Sequence, residues 1–474
     1  MSESVTRNTT YLTLAYIGQK ILSFFYFVAV ARFIGVEDLG KYTFAISLTT
    51  LFAVFVDIGF SSALVREVAK AKERAGTFLS SALSVRAISS LLIYGAVVAL
   101  INILGYPPLT KILVYLSGIT MVLDQWTGAF WAIFRGFQNL KMEAVSVIVN
   151  QAIILIVGVA VLFLRLPLMF LMVPFILASS FSLIFSAICV HRILKIKWRF
   201  GFDPSTVKFL FAIAAPLALL SIFSRVYGNI DSVMLSKLVG DKAVGWYSVA
   251  MKIPFALQFI PAALSAAVYP AFSEHFARDK VQLKITFERV MKFLTIAVLP
   301  ISAGIAVLAR PIIMFFYGAD YLAAVLPLQI LMLGLFFVFL NFPLGALMNG
   351  CDRQVVNTIL VGITMILNVA LNIYLIPRYS FSGASAAFFI SHGFLFIAGM
   401  LVSRRITGWR RWAFVSTLAK TLCASAVMSL SVLLLIKQIH FLAVIPIGAL
   451  IYFLVILCLR TITRDEVKVF LKHF

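Results

Sequence analysis

Seven ionisable side chains sit where a chain this apolar has little reason to carry them: Lys20, Arg86, Arg225 and Lys252, with Asp57, Asp124 and Asp231. Each lies inside a long apolar run. A charge at bilayer depth is costly unless it faces a bundle interior or a wet cavity. Ammonium and guanidinium groups gathered there suit an anion rich in oxygens. Arginine grips phosphate oxygens in pairs, and lysine acts as a point charge. Phosphate or diphosphate binding is the chemistry that Lys20, Arg86, Arg225 and Lys252 point to, with Asp57 and Asp124 in the same cavity. The competing reading is an ion-pair network inside a helix bundle, the aspartates being the partners.

A second constellation is oxygen-rich. Asp231 follows Arg225 by six residues, and Asn368 and Asn372 lie one turn apart on one helix face. A carboxylate with two amide oxygens suits a hard cation. Asparagine is also common glue between membrane helices. His392 is placed deep in an apolar run, where it would either relay protons or pack. Cys189, Cys351, Cys423 and Cys458 are scattered without metal-ligand spacing. There is no P-loop, dinucleotide fingerprint or HExxH pattern. We therefore expect neither an enzyme nor a tightly held cofactor; sodium or protons as coupling ions are the exception.

The elements that must position these residues are helices that cross a membrane. Hydrophobic residues make up 62% and charged ones 12%, with mean hydropathy +1.05, far from soluble composition. The sequence predicts an all-α polytopic protein of roughly 14 spans, each long enough for a hydrocarbon core of ~30 Å. The net charge of +22 would suggest nucleic acid in a soluble protein; here it reads as topology. Lys and Arg crowd the even-numbered connections, as at Arg66, Lys70, Lys72 and Arg74, or Arg404, Arg405, Arg410 and Arg411. That pattern places both termini in the cytoplasm, and the polar N-terminus argues against a cleaved signal peptide.

A repeat divides the chain. Gly35, Gly40, Tyr42 and Ala45 return as Gly240, Gly245, Tyr247 and Ala250, an offset of about 205 residues. At the same offset Lys20 falls on Arg225, and Arg32 on Lys237. The predicted organisation is a first lobe over 1–191, a cytoplasmic connector over 192–208, a second lobe over 209–406, and two further spans with a tail over 407–474. Each lobe has six spans, so the two are parallel repeats. Pro216, Pro254, Pro261 and Pro343 inside spans allow kinks. Arg32, Arg135, Lys237 and Arg310, at span ends, are expected to reach the interface.

The runs Arg32-Phe33-Ile34-Gly35 through Asp38, Gly40, Tyr42 and Ala45, then Asp57-Ile58-Gly59 and Arg66, carry a resemblance. So do Pro216, Tyr227, Asp231, Gly240, Gly245 and Tyr247, followed by Tyr269-Pro270. Together they resemble the polysaccharide-transporter branch, of the O-antigen flippase type, within the multidrug/oligosaccharidyl-lipid/polysaccharide exporters. The resemblance implies two six-helix lobes forming a V with a cationic central cavity, plus two C-terminal helices. It implies that Lys20 and Arg225 contact a diphosphate, and that Asp231 with Asn368 and Asn372 matches a sodium site.

The function so implied is translocation of a polyprenyl-diphosphate-linked oligosaccharide across the cell membrane by alternating access. Its partners would be that lipid-linked sugar, membrane lipids and glycan-assembly proteins such as a polymerase, with no nucleic acid. An organic-cation antiporter of the same superfamily and a lipid II flippase are the alternatives. A scaffold or a glycan polymerase is a third, which the short outer loops disfavour.

Overall fold

A computed structural model describes the backbone of residues 2–461; side chains are described from Tyr11 onward, except at 215–217. Among the described residues there is no strand. Ten stretches are long and apolar enough to cross a membrane, or eleven if one bent pair is counted as a span. The chain is a multi-pass membrane protein. Residues 462–474 of the predicted tail lie outside the described residues.

Fewer such stretches than predicted spans appear because some stretches run through a break. The first, α1 (Ser2–Asp57), breaks at Gly35, whose φ of 78° is open to glycine at little cost. A second break, Ile58-Gly59, separates α1 from α2 (Phe60–Lys70). After α3 (Ala75–Ile103), α4 (Pro108–Gly136), α5 (Lys141–Phe163) and α6 (Val173–Arg192) comes α7 (Pro204–Leu238), then α8 (Asp241–Leu257). The two arms of α7, Pro204–Ala214 and Ala218–Leu238, run at 59° to one another. Pro216, predicted to kink this span, has a side chain outside the described residues. The later helices are α9 (Phe259–Arg278), α10 (Lys280–Val307), α11 (Ala309–Phe316), α12 (Val325–Gly350), α13 (Gln354–Thr407), α14 (Arg411–Leu435) and α15 (Phe441–Cys458). Ser380, at φ 52°, divides α13 as Gly35 divides α1.

The chain forms two compact units, Met1–Ser248 and Val249–Phe474. In the first, α1 packs on α4, α5 and α7, while α4 packs on α3 and α6. Phe60, Phe78, Phe130 and Phe134 fill its core. In the second, α12 packs on α9, α10 and α13, and α14 packs on α10 and α15. Its core includes Leu308, Met428, Val444 and Tyr452.

The segment after α6 is laid along the first unit. Leu194, Ile196 and Trp198 turn inward while Lys195, Lys197 and Arg199 face out, the two-residue alternation of extended backbone. The backbone N–H of Arg199 donates to Ser80 Oγ at 3.1 Å, and that of Gly201 to Ser84 Oγ at 3.1 Å. Those serines are one turn apart on α3, so the strap follows one helix face. Trp198 meets Phe130 edge-on at 5.3 Å, and Phe200 lies 5.9 Å from Trp126. A Cβ on Gly76 would come within 2.7 Å of the Lys197 carbonyl oxygen, which is why the strap fits there.

Asp203 ends the strap and caps α7. Its carboxylate accepts from the backbone N–H of Ser205 at 3.2 Å and of Thr206 at 3.3 Å. Hydrogen bonds from the Thr206 and Ser205 hydroxyls hold its pKa below the usual carboxylate range. A depressed folded-state pKa makes the cap's contribution complete above the unfolded-state value and lost as pH falls through the folded one. Asp203→Ala is therefore expected to speed amide exchange at 205–207 at neutral pH. The difference from wild type should vanish in acid, as read by exchange mass spectrometry.

Candidate functional site

Within the first unit, α1, α4, α6 and α7 enclose a cavity of about 330 Å³. The second arm of α1 contributes Thr49 and Thr50, and α4 contributes Ser117, Thr120, Asp124 and Gln125. Phe175 closes one side, its ring 6.2 Å from those of Tyr26 and Tyr42. Arg225 comes from α7, and its side chain is exposed to this space. The wall thus carries one guanidinium, one carboxylate and a row of hydroxyls. The α4 sequence Asp124-Gln125-Trp126-Thr127 is polar for a membrane helix, and α4 is absent from the ten described stretches that pass as spans.

Hydrogen bonds fix the polar wall. Thr49 Oγ1 and Ser117 Oγ lie 2.7 Å apart and are both buried. Ser179 Oγ donates to Asp124 Oδ1 at 2.6 Å, which orients the carboxylate toward the space. Asn229 Nδ2 donates to the Arg225 carbonyl at 2.9 Å. The arrangement offers a cation to an anionic group and several hydroxyl, amide and carboxylate partners to a polyol.

Asp57 and Arg86 stand behind that wall and meet one another. The Arg86 guanidinium donates to Asp57 Oδ1, to Ser61 Oγ at 2.8 Å and to the carbonyl oxygen of Gln125, a residue of the wall. Asp57 also accepts from the N–H of Ser61 at 3.1 Å and from its hydroxyl at 2.8 Å, capping α2 after the Ile58-Gly59 break. Arg86 is 1% exposed. This pair therefore ties α1, α2, α3 and α4 together at the level of the cavity. Removing one partner of a buried pair costs about 3–5 kcal/mol. Arg86→Ala is expected to destabilise by that amount, and adding Asp57→Asn should recover part of the loss in thermal melts of detergent-solubilised protein.

The repeated glycines touch. A Cβ on Gly40 would lie 1.8 Å from the Asp241 carbonyl oxygen, and one on Gly245 would lie 2.1 Å from that of Val36. Residue 36 matches 241 and residue 40 matches 245 at the repeat offset, so the contact is reciprocal. Gly240 shares with Gly35 the positive φ, at 116° and 78°. The surrounding turns lock to each other. Ser236 Oγ donates to Asp241 Oδ1 at 2.9 Å, Tyr106 OH donates to Ser236 Oγ at 3.2 Å, and Lys237 Nζ donates to the Leu104 carbonyl at 3.0 Å. Phe44 stacks on Tyr106 at 4.7 Å.

The remaining predicted residues fall in several places. Lys20 is half-buried on α1, and Lys252 is half-buried on α8. Asp231 is 4% exposed and accepts from Tyr247 OH at 2.7 Å. In the second unit, Asn372 Nδ2 donates to Asn368 Oδ1 at 3.1 Å, and Asn368 Nδ2 donates to Ser391 Oγ at 3.3 Å. Among the described residues no group of three or more His, Cys, Asp or Glu is placed to hold a metal. The His392 ring packs edge-on against Phe388 at 4.1 Å, and its carbonyl accepts from Asn341 Nδ2 at 3.2 Å.

One cluster brings in two residues not singled out from sequence, Glu143 and Tyr16. Glu143, 2% exposed, binds Arg135, whose Nε donates at 2.9 Å. Tyr16 OH donates to the same carboxylate at 3.3 Å. Arg135 is thus held by a buried acid where a reach to the interface was expected. The signal was a glutamate at the start of an apolar run eight residues after an arginine.

A family model described as polysaccharide biosynthesis protein matches residues 5–276, and a second, MatE, matches residues 216–374. The capsular polysaccharide biosynthesis protein CapF of Staphylococcus aureus is 23% identical, over 85% of this chain and all of that one. The lipid II flippase MurJ of Bacillus subtilis (strain 168) is 22% identical, over 91% of this chain and 88% of that one. A solved structure of lipid II flippase MurJ in an inward closed conformation superposes with a TM-score of 0.75 at 21% identity, covering 94% of this chain and 97% of that one. The helical fold is that of this exporter group.

Proposed function

The chain belongs to the polysaccharide biosynthesis protein family, and on that premise we propose that it carries a polyprenyl-diphosphate-linked oligosaccharide between the leaflets of the cell membrane by alternating access. The observation that carries this reading is Arg225 on the wall of a hydroxyl-lined cavity inside an apolar helical chain. In this reading Arg225 takes the diphosphate, with Lys20 and Lys252 adding positive charge. Thr49, Thr50, Thr120, Asp124 and Gln125 meet sugar hydroxyls, while the prenyl tail stays in the bilayer. Arg86 and Asp57 act as positioning residues, since their mutual hydrogen bonds hold the Gln125 wall. The chain then performs transport and no covalent chemistry. Its termini are cytoplasmic, and a glycan polymerase receives the product.

Moving the diphosphate's charge engages the membrane potential, at about 2.3 kcal/mol per charge per 100 mV. For sodium coupling the residues proposed are Asp231, which accepts from Tyr247 OH, and the hydrogen-bonded pair Asn368 and Asn372. The test is transport of a fluorescent prenyl-diphosphate oligosaccharide in proteoliposomes, with and without a sodium gradient. Transport that needs Arg225 supports the reading. Transport that ignores an Arg225→Ala, Lys20→Ala double variant overturns the diphosphate role.

A second reading is favoured by one observation: a carboxylate, Asp124, faces the same cavity. An organic-cation antiporter would use that carboxylate, and the MatE match is in keeping with it. Drug-efflux assays separate the two. Lipid II in place of an oligosaccharide repeat unit is separated by offering both lipids to the same vesicles.

A further inference from the structure

A second cavity, of about 250 Å³, lies in the second unit where three membrane helices end together. The start of α10 brings Glu288, Arg289 and Lys292. The turn between α13 and α14 brings Trp409 and Arg410, and the first turn of α14 brings Phe414. Three cations thus meet one carboxylate. That carboxylate is engaged, because Glu288 Oε1 accepts from the backbone N–H of Arg410 at 3.0 Å.

The aromatic floor is built rather than incidental. Gly408, in the left-handed conformation at φ 62°, ends α13 and turns the chain back on itself. The turn buries Trp409, whose Nε1–H donates to Ser403 Oγ at 3.1 Å and whose ring lies 6.1 Å from that of Phe414. Arg410 and Arg289 then line one cavity with Trp409 and Phe414. Arginine on such a surface is the usual device for holding a phosphate.

What surrounds the cavity distinguishes an amphiphile from a small anion. Trp412 next to it is 82% exposed, as an indole is at the boundary between headgroups and hydrocarbon. Further along the same helices Val415 and Leu422 on α14, and Leu401 on α13, lie open at 46%, 48% and 58%. A charged head therefore meets cations at the helix ends while its tails continue onto apolar helix faces. The volume is below the roughly 300–1,000 Å³ of small-molecule pockets, which suits a headgroup and not a whole lipid.

We propose that Arg289, Lys292 and Arg410 form a binding site for the phosphodiester headgroup of an anionic glycerophospholipid, separate from the Arg225 cavity. Basic pockets between membrane helices hold such headgroups elsewhere. The site acts on the second unit: a bound lipid would bridge α10 to the start of α14.

The test uses the full-length protein in a neutral detergent, titrated with phosphatidylglycerol, phosphatidylcholine or inorganic phosphate, and read by native mass spectrometry and thermal melting. Wild type is expected to retain phosphatidylglycerol and to melt higher with it, and to respond weakly to phosphatidylcholine. An Arg289→Ala, Arg410→Ala variant should bind phosphatidylglycerol roughly 30-fold more weakly, about fivefold per cation removed. Its own melting transition shows that it has folded, and an Arg289→Lys, Arg410→Lys variant should keep most of the affinity. Equal retention by the alanine variant overturns the site. So does inorganic phosphate matching phosphatidylglycerol, which would make it a phosphate site only. A response to the prenyl-diphosphate oligosaccharide without one to phosphatidylglycerol also overturns it, and would make this a substrate site. Transport by the Arg225 cavity is assayed separately, so either proposal can fail without the other.

Discussion

Arg225→Ala is expected to lower transport of a prenyl-diphosphate oligosaccharide by roughly 10- to 150-fold, the range for losing a hydrogen bond to a charged group of about 1.5–3 kcal/mol. Arg225 is the cation on a cavity wall whose other polar groups are hydroxyls, an amide and one carboxylate. Without it the charged group left on the cavity wall is the Asp124 carboxylate, and an entering diphosphate would keep only the more distant help of Lys20 and Lys252. Arg225→Lys should restore part of the rate, since lysine keeps the charge and loses the two-point grip. Both variants must be assayed at matched insertion in proteoliposomes. Under the organic-cation reading the same substitution leaves efflux intact or raises it, because it removes a like charge from the cation's path. Unchanged diphosphate transport in Arg225→Ala would sink the assignment.

The second large effect belongs to the reciprocal glycines. Gly40→Ala or Gly245→Ala places a methyl within 1.8 or 2.1 Å of a backbone carbonyl oxygen. No rotamer relieves such a clash, so the segments at 36–40 and 241–245 must separate. Overpacking of this kind costs about 1–3 kcal/mol. A cysteine placed at Val36 is therefore expected to react with a membrane-impermeant maleimide at least tenfold faster in either alanine variant. The background must lack the native cysteines, of which Cys423 and Cys458 are exposed. The double variant should cost less than the sum of the singles, because one methyl already opens the contact the other would strain. Additive losses would show that the two glycines act at separate places.

Much of this was legible before any coordinates. Apolar runs locate the helices because lipid leaves the backbone no other way to satisfy its hydrogen bonds. The repeat pairs Gly40 with Gly245, but sequence reads this as kinship. In the fold each of the two positions presses on the backbone four residues before the other. Arg86 and Asp57 were visible as misplaced charges, yet their pairing spans 29 residues of chain and depends on the turn at Ile58-Gly59. Depth along a helix can be counted from sequence, whereas direction around it needs neighbours. That is why Arg225 and Asp124 meet at one cavity while Arg86, also inside an apolar run, is turned into a buried network. The strap after α6 did carry its signal, in the alternation of Leu194, Ile196 and Trp198, within a segment expected to be a plain connector.

That strap also bears on where foreign sequence can enter this chain. The stretch from 193 to 203 is the longest between helices in the first unit and would be the first choice for a reporter or an affinity tag. Its amides are already committed to Ser80 and Ser84, and its indole to Phe130, so an insertion there would peel a structural band from the side of α3. Tolerance follows from uncommitted backbone, not from loop length. The turn at Lys437, Gln438, Ile439 and His440 is exposed at all four positions; its hydrogen bonds are local, the N–H groups of Gln438 and Ile439 donating to the Leu435 carbonyl, so it commits no backbone to a helix beyond the two it joins and is the better port of entry.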